Sequence, residues 1–219
     1  MVQEKNERRS NYVTEAPARP ATALRHQGLR QDLITAAEQV IETQGLGELR
    51  ARDLAKTAGC SLGAIYNVFT DMDGLILEVN ASTLRAIDQT MASIVAPNPT
   101  TQFLQLADAY VTYAARNRPR WDALFGHRMQ AEAVAPDWFL ETQNAAFSHI
   151  ETPLAALCPQ LDGTARHLLG RSIFAAVHGM VALGLDKRIA PTDLPVLRAQ
   201  IASVVTALAR GLPAHGPQA

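Results

Sequence analysis

Apolar residues recur along most of this chain at steps of three and four, the spacing of a helix that buries one face. Leu29, Leu33, Ala36, Ala37, Val40 and Ile41 form the first such stripe, with Arg30, Glu38 and Glu42 facing water. The stripe predicts a supporting helix over 25–44, ended by Gly45 and Gly47. Over 51–69, ARDLAKTAGCSLGAIYNVF, the pattern splits into two short pieces. Leu54, Ala55 and Ala58 share a face of the first. Gly59 follows where a left-handed residue stops a helix, because glycine adopts positive φ without a Cβ clash. Ser61 is placed as N-cap of the second piece, its hydroxyl able to accept from first-turn amides. Leu62, Ile65 and Phe69 are expected to bury that helix and to leave Gly63, Ala64, Tyr66 and Asn67 on or near the open side. Two short helices across a glycine turn make a helix-turn-helix, whose second helix enters a DNA major groove.

From about Met72 to Val95 one long helix is predicted, with Leu75, Ile76, Val79, Leu84, Ile87, Met91 and Ile94 inside and Pro97 and Pro99 breaking it. Further helices are read at about 100–117, 119–131, 136–157, 162–186 and 192–210. Strand-like alternation between hairpin turns is missing, so the expected class is all-α. The expected division is an arm over 1–24, a helix-turn-helix domain over 25–75 and a helical body over 76–212. The arm, with few apolar residues and two prolines, is expected to be disordered.

Charge refines this picture more than composition does. The first 30 residues hold six basic side chains against Glu4, Glu7 and Glu15, a balance of +3 that leaves −4 for the remainder of a chain totalling −1. A cationic leading segment on a mildly acidic body suits a protein that meets phosphates only through its N-terminal part, although an ordinary solvated tail has the same signature. Arg8, Arg9, Arg19 and Arg25 are the candidates for an arm that enters the minor groove as homeodomain arms do with arginine. No apolar run approaches the roughly 20 residues of a membrane span. The leading residues lack the apolar stretch of a secretion signal, and Cys60 and Cys158 lie far apart without ligand spacing. A cytoplasmic protein with no membrane partner, metal or cofactor is expected.

The run Leu33 to Leu75 resembles the DNA-binding domain of the TetR/AcrR repressors. The resemblance rests on ITAAEQVIETQG, then RDLAKTAG, then Ser61 with Tyr66 and Phe69, then Asp73 and Leu75 opening the next helix. It implies that the Tyr66 hydroxyl reaches a backbone phosphate and that Asn67, which equally suits a helix end, contacts DNA. Arg50 and Arg52 stand where the family commonly places phosphate-binding hydroxyls. The implied DNA-contacting set is Arg50, Arg52, Ser61, Leu62, Gly63, Ala64, Tyr66 and Asn67. Cys60 reads as a core filler. Between Asp71 and Asp73 the family usually has lysine and this chain has Met72, which removes one expected backbone contact.

RPRWDALFGHRM and AAVHGMVALG resemble a C-terminal domain type of the same family, marked by a mid-domain tryptophan and a histidine-glycine pair, here Trp121, His178 and Gly179. An effector-binding and dimerising body is implied. Phe103, Tyr110, Trp121, Phe125, Trp138, Phe147, Phe174 and His178 are the candidates for lining a ligand site, with Tyr113 and Met180 beside them. An aromatic at helical spacing serves equally well as plain core. His178, in an otherwise apolar stretch, needs a hydrogen-bond partner in the protein or in a ligand. Small residues in the last two helices (Gly170, Ala175, Ala176, Gly179, Ala182 and Gly184; Ala199, Ala202 and Ala207) permit close helix approach, and the family builds a four-helix dimer there.

The expectation is a homodimeric transcriptional regulator, a repressor that leaves a palindromic double-stranded operator when a small apolar or amphipathic effector binds. The alternative is an effector-independent dimeric DNA-binding protein with a filled interior. Motifs for a serine hydrolase elbow, zinc protease, P-loop or dinucleotide loop are missing, so no enzyme is expected.

Overall fold

The structure is a computed structural model that describes residues 20–212 apart from 131, 132 and 190. Arg8, Arg9 and Arg19 therefore lie outside the described residues. Among the described residues the chain is all-α, with no strand and no helix long and apolar enough to cross a membrane.

Helix α1 (Pro20–Gln44) begins five residues before the predicted start, so 20–24 belong to the helix and not to an irregular arm. Proline suits the first helical position, where no backbone donor is needed and its φ is already helical. Gly45, at φ 87°, ends the helix, and a 3₁₀ turn over Leu46–Glu48 leads to α2 (Ala51–Thr57) and α3 (Leu62–Val68). The long helix α4 (Met72–Ala92) is N-capped by Asp71, whose Oδ1 accepts from the Gly74 amide at 2.8 Å. After it come α5 (Pro99–Arg116), α6 (Arg118–Gly126), α7 (Asp137–Leu157), α8 (Gly163–Gly184) and α9 (Leu194–Gly211).

Helix α6 stops at Gly126, short of the predicted 131. Asp73 at the start of α4 accepts from the Gln130 amide at 3.1 Å and lies 3.2 Å from His127 Nε2, which draws this segment across α4 as a loop.

Two cores divide the molecule. The head core joins Leu33, Ala37 and Ile41 of α1, Leu54 of α2, Ile65 of α3 and Leu75 and Val79 of α4, all at 1% exposure or less. The body core joins α5, α7, α8 and α9 with the second half of α4. One helix thus serves both, with Leu75, Ile76 and Val79 in the head and Ile87 and Met91 in the body. Helix α6 does the same more abruptly: Trp121 sits in the body core and Ala123 in the head core.

Candidate functional site

The turn between α2 and α3 has the geometry that the glycine implied. Gly59 has φ 64°, the Cys60 amide reaches back to the Ala55 carbonyl at 2.9 Å, and the Gly59 amide reaches Lys56 at 3.3 Å. This pair of bonds closes a helix through a left-handed residue. Ser61 Oγ accepts from the Ala64 amide at 3.2 Å, capping α3 as expected. Ile65 and Phe69 are buried, and Cys60 packs at the margin of the same core. Gly63, Tyr66 and Asn67 are exposed and Ala64 is half-buried. Leu62 departs from expectation: it is 38% exposed, because the first residue of α3 overhangs the core and joins the outward face.

Around that face the charges are arranged unevenly. Arg52 is exposed and forms no ion pair among the described residues. Arg50 is exposed but donates to the carbonyls of Gly47 and Leu49, which partly commits its guanidinium to the chain's own backbone. Arg30 pairs with Glu78 and lies over the Phe69 ring. Met72 packs partly against the head core, which gives the residue in the usual lysine position a structural use.

Within the body, α4, α5, α6, α7 and α8, with Val205 of α9, line a partly open cavity of about 150 Å³. Five of the eight predicted lining residues reach it: Phe103, Tyr110, Phe125, Phe147 and Phe174. Leu84, Ile87 and Met91 of α4 form another wall, and Phe139, Gln143, Ala146, His149 and Ile150 form the α7 wall.

The other three lie elsewhere. Trp121 is 3% exposed and donates from Nε1 to the Tyr110 hydroxyl at 3.0 Å. That hydroxyl lies 2.7 Å from His178 Nδ1, so Tyr110 OH is hydrogen-bonded to both Trp121 and the imidazole. The partner that His178 needed is therefore a protein group. Burial pushes the Tyr110 hydroxyl pKa up and the His178 imidazole pKa down, so both stay neutral at pH 7. Trp138 is 38% exposed and packs edge-on against Phe139, which is the residue of this pair that faces the cavity. Successive helical residues point about 100° apart. The α7 wall repeats at steps of three and four through 139, 143, 146, 147 and 150, a signal that could have found Phe139.

Head and body are fastened by Arg120 of α6. Its guanidinium donates to Glu38 and Glu42 of α1 at 2.9 Å each, and to Ser82 and Thr83 of α4 at 3.0 and 3.2 Å. Withdrawal from water works against this charge, but the bond to Glu42 and the carboxylate of Glu38 outweigh it and raise the Arg120 pKa. Nothing in the local sequence marks Arg120 for this task, because its partners lie on distant helices.

Small residues of the last two helices differ in burial, with Gly179 and Ala182 half-buried. Gly170 and Gly184 are buried; a Cβ on Gly184 would come within 2.7 Å of Leu197 Cδ1, so that glycine serves packing within the chain. Ala175, Ala176, Ala199, Ala202 and Ala207 are exposed, as are Leu168, Leu183, Val196 and Val204. No group of three His, Cys, Asp or Glu side chains able to hold a metal occurs among the described residues.

Comparison with known proteins bears on both halves. Residues 33–79 match the family model described as bacterial regulatory proteins, tetR family, and residues 103–208 match the tetracyclin repressor-like C-terminal domain. Among curated proteins none matches. A protein of unknown function from Rhodococcus sp. RHA1 has a similar structure, with TM-score 0.65 and 22% identity over 84% of this chain and 95% of that one. A tetR-family regulatory protein from Rhodococcus RHA1 gives TM-score 0.58 and 15% identity over 83% and 96%. RolR, solved in complex with resorcinol, gives 0.61 and 17% over 89% and 97%. These likenesses carry the fold; the two family models, which together span more than half of the chain, carry the assignment. The chain belongs to the TetR family and is a DNA-binding transcriptional regulator.

Proposed function

We propose that the protein is a homodimeric repressor released from a palindromic operator when a small apolar or amphipathic molecule enters the body cavity. One observation carries most of this reading: the helix whose Leu84, Ile87 and Met91 wall the cavity also places Leu75 and Val79 in the core that holds α3 outward. A guest pressing on that wall favours conformers in which α4 is displaced, and the head follows. Ligand and DNA then oppose one another through unequal affinity for the two states.

Further support comes from the exposed apolar face of α8 and α9, which suits pairing with a second copy, since a lone recognition helix touches too little DNA for useful specificity. Arg52, Tyr66 and Asn67 are the residues proposed to meet the duplex, with Arg50, Ser61, Leu62, Gly63 and Ala64 around them. The resorcinol bound to RolR is a small ring compound, a fitting scale for a cavity of this size. An effector-independent protein called for a filled interior, and the cavity weighs against it.

Selection of bound duplexes from a random pool tests the reading. Two related half-sites about one helical turn apart are expected, with Tyr66→Phe weakening every selected site about equally. A pool with no enriched sequence, or with a single unpaired half-site, would overturn it.

A further inference from the structure

The walls of the cavity restrict its guest more closely than size alone does. We infer that the cavity takes a neutral, single-ring aromatic molecule bearing a hydroxyl, with the ring among the phenylalanines and the hydroxyl held by Gln143 and His149. This rests on the cavity being the effector site.

Volume sets the scale. About 150 Å³ is available, and an apolar cavity of that order accommodates benzene. The rings around it are already arranged edge to face: Phe147 meets Phe174 at 4.9 Å and 86°, and Tyr110 meets Phe174 at 5.3 Å and 68°. Another aromatic ring extends this packing, which aliphatic chains match less well.

Charge selects against acids. No Lys, Arg, Asp or Glu lines the cavity. Arg171, exposed on α8, stacks over the Phe147 ring without joining the wall. An acid would lose its hydration with no Lys or Arg in the wall to receive it, and Asp88 lies directly behind His149.

The polar positions choose the functional group. Tyr110 is unsuited to hold the guest, because its hydroxyl is already bonded to Trp121 and His178. His149 Nε2 lies 2.7 Å from Asp88 Oδ1; a carboxylate only accepts, so Nε2 carries a hydrogen and Nδ1 is the ring nitrogen left for another partner. Neither that Nδ1 nor the Gln143 amide has a hydrogen-bond partner among the described residues. Both residues stand on α7, less than two turns apart. A hydroxyl, which both donates and accepts, suits the imidazole nitrogen and the amide alike. A hydrocarbon makes neither bond, and an ether or ketone brings no hydrogen.

Calorimetric titration of the full-length protein with phenol, toluene, benzoate and octanoate tests this. Phenol should bind about tenfold or more tighter than toluene, the worth of roughly one good hydrogen bond, and the two acids should not bind. His149→Phe and Gln143→Leu should bring phenol down toward toluene while leaving toluene unchanged, which a merely structural role would not do. Ala146→Phe, filling the cavity, should abolish binding; Val177→Met replaces it if thermal melts show that variant unfolded. Equal affinity for phenol and toluene, a preference for either acid, or no phenol binding at millimolar concentration each overturns the inference. The two readings fail separately. An acid whose binding Ala146→Phe abolishes leaves the cavity as the effector site and removes only the hydroxyaromatic class. Phenol binding that survives cavity filling removes the cavity itself.

Discussion

In the head, Leu33, Ile41, Leu54, Ile65 and Leu75 are shut away from water, and the small core they build has one task, to hold α3 against α1 with its polar face outward. In the body, larger side chains converge and stop short of one another. Phe103, Tyr110, Phe125, Phe147 and Phe174 leave space between them, while Gly184 and Leu197 a few turns away are packed as closely as two helices allow. The difference follows from what each region must present. A head that reads DNA needs one fixed surface, and dense packing supplies it. Under the proposed function, a body that admits a guest leaves contacts unmade and is held together elsewhere.

The comparison can be broken by volume changes of graded size. Ile65→Ala should cost about 2–5 kcal/mol, since a fully buried side chain is lost from a core too small to collapse around the gap. Urea denaturation measures it, and a loss below about 1 kcal/mol would mean that the head is not tightly packed. Gly184→Leu should cost about 1–3 kcal/mol by forcing Leu197 out of its site, with part of the loss recovered by Leu197→Ala. Ala146→Leu, on the α7 wall, should change stability by less than about 1 kcal/mol in either direction, because the added methyls enter existing space. A penalty as large as that at Gly184 would show the cavity closed in solution.

The smallest effect is sharpened by pH. Burial lowers the His178 pKa, and the neutral ring bonds the Tyr110 hydroxyl through Nδ1. Below about pH 6.5, the ordinary histidine value, the unfolded chain binds a proton that the folded chain refuses. Stability is therefore full above that pH and falls as the pH drops toward the lowered folded-state value. Thermal melts between about pH 7.5 and about pH 5.5 should show this decline, and His178→Phe should flatten part of it.

Most of the fold was legible because the helices bury one face and repeat their apolar residues at the helical period. Gly59 and Ser61 were equally legible, since their roles depend on neighbours two to five residues away. What escaped depends on distance in sequence. The polar run after Gly126 looks helical by composition, yet Asp73, more than fifty residues earlier, holds it as a loop. Trp121 and His178 were marked as lining candidates and instead form a hydrogen-bonded cluster with Tyr110, which aromatic content alone could not tell from a cavity wall. Leu62 obeyed its spacing and still faced outward, because a helix of seven residues extends past the core that it covers. The DNA-facing residues remain a proposal from position and exposure.

Ala123 gives the molecule a seam that its chain order hides. A methyl group from the second half of the sequence completes the core of the first, a turn from the arginine that fastens the two. Anyone exchanging modules between relatives would cut within α4 and leave the transplanted head missing a piece of its own interior. The portable unit is the head with α6 attached, two stretches of chain that have to be inherited or engineered as one.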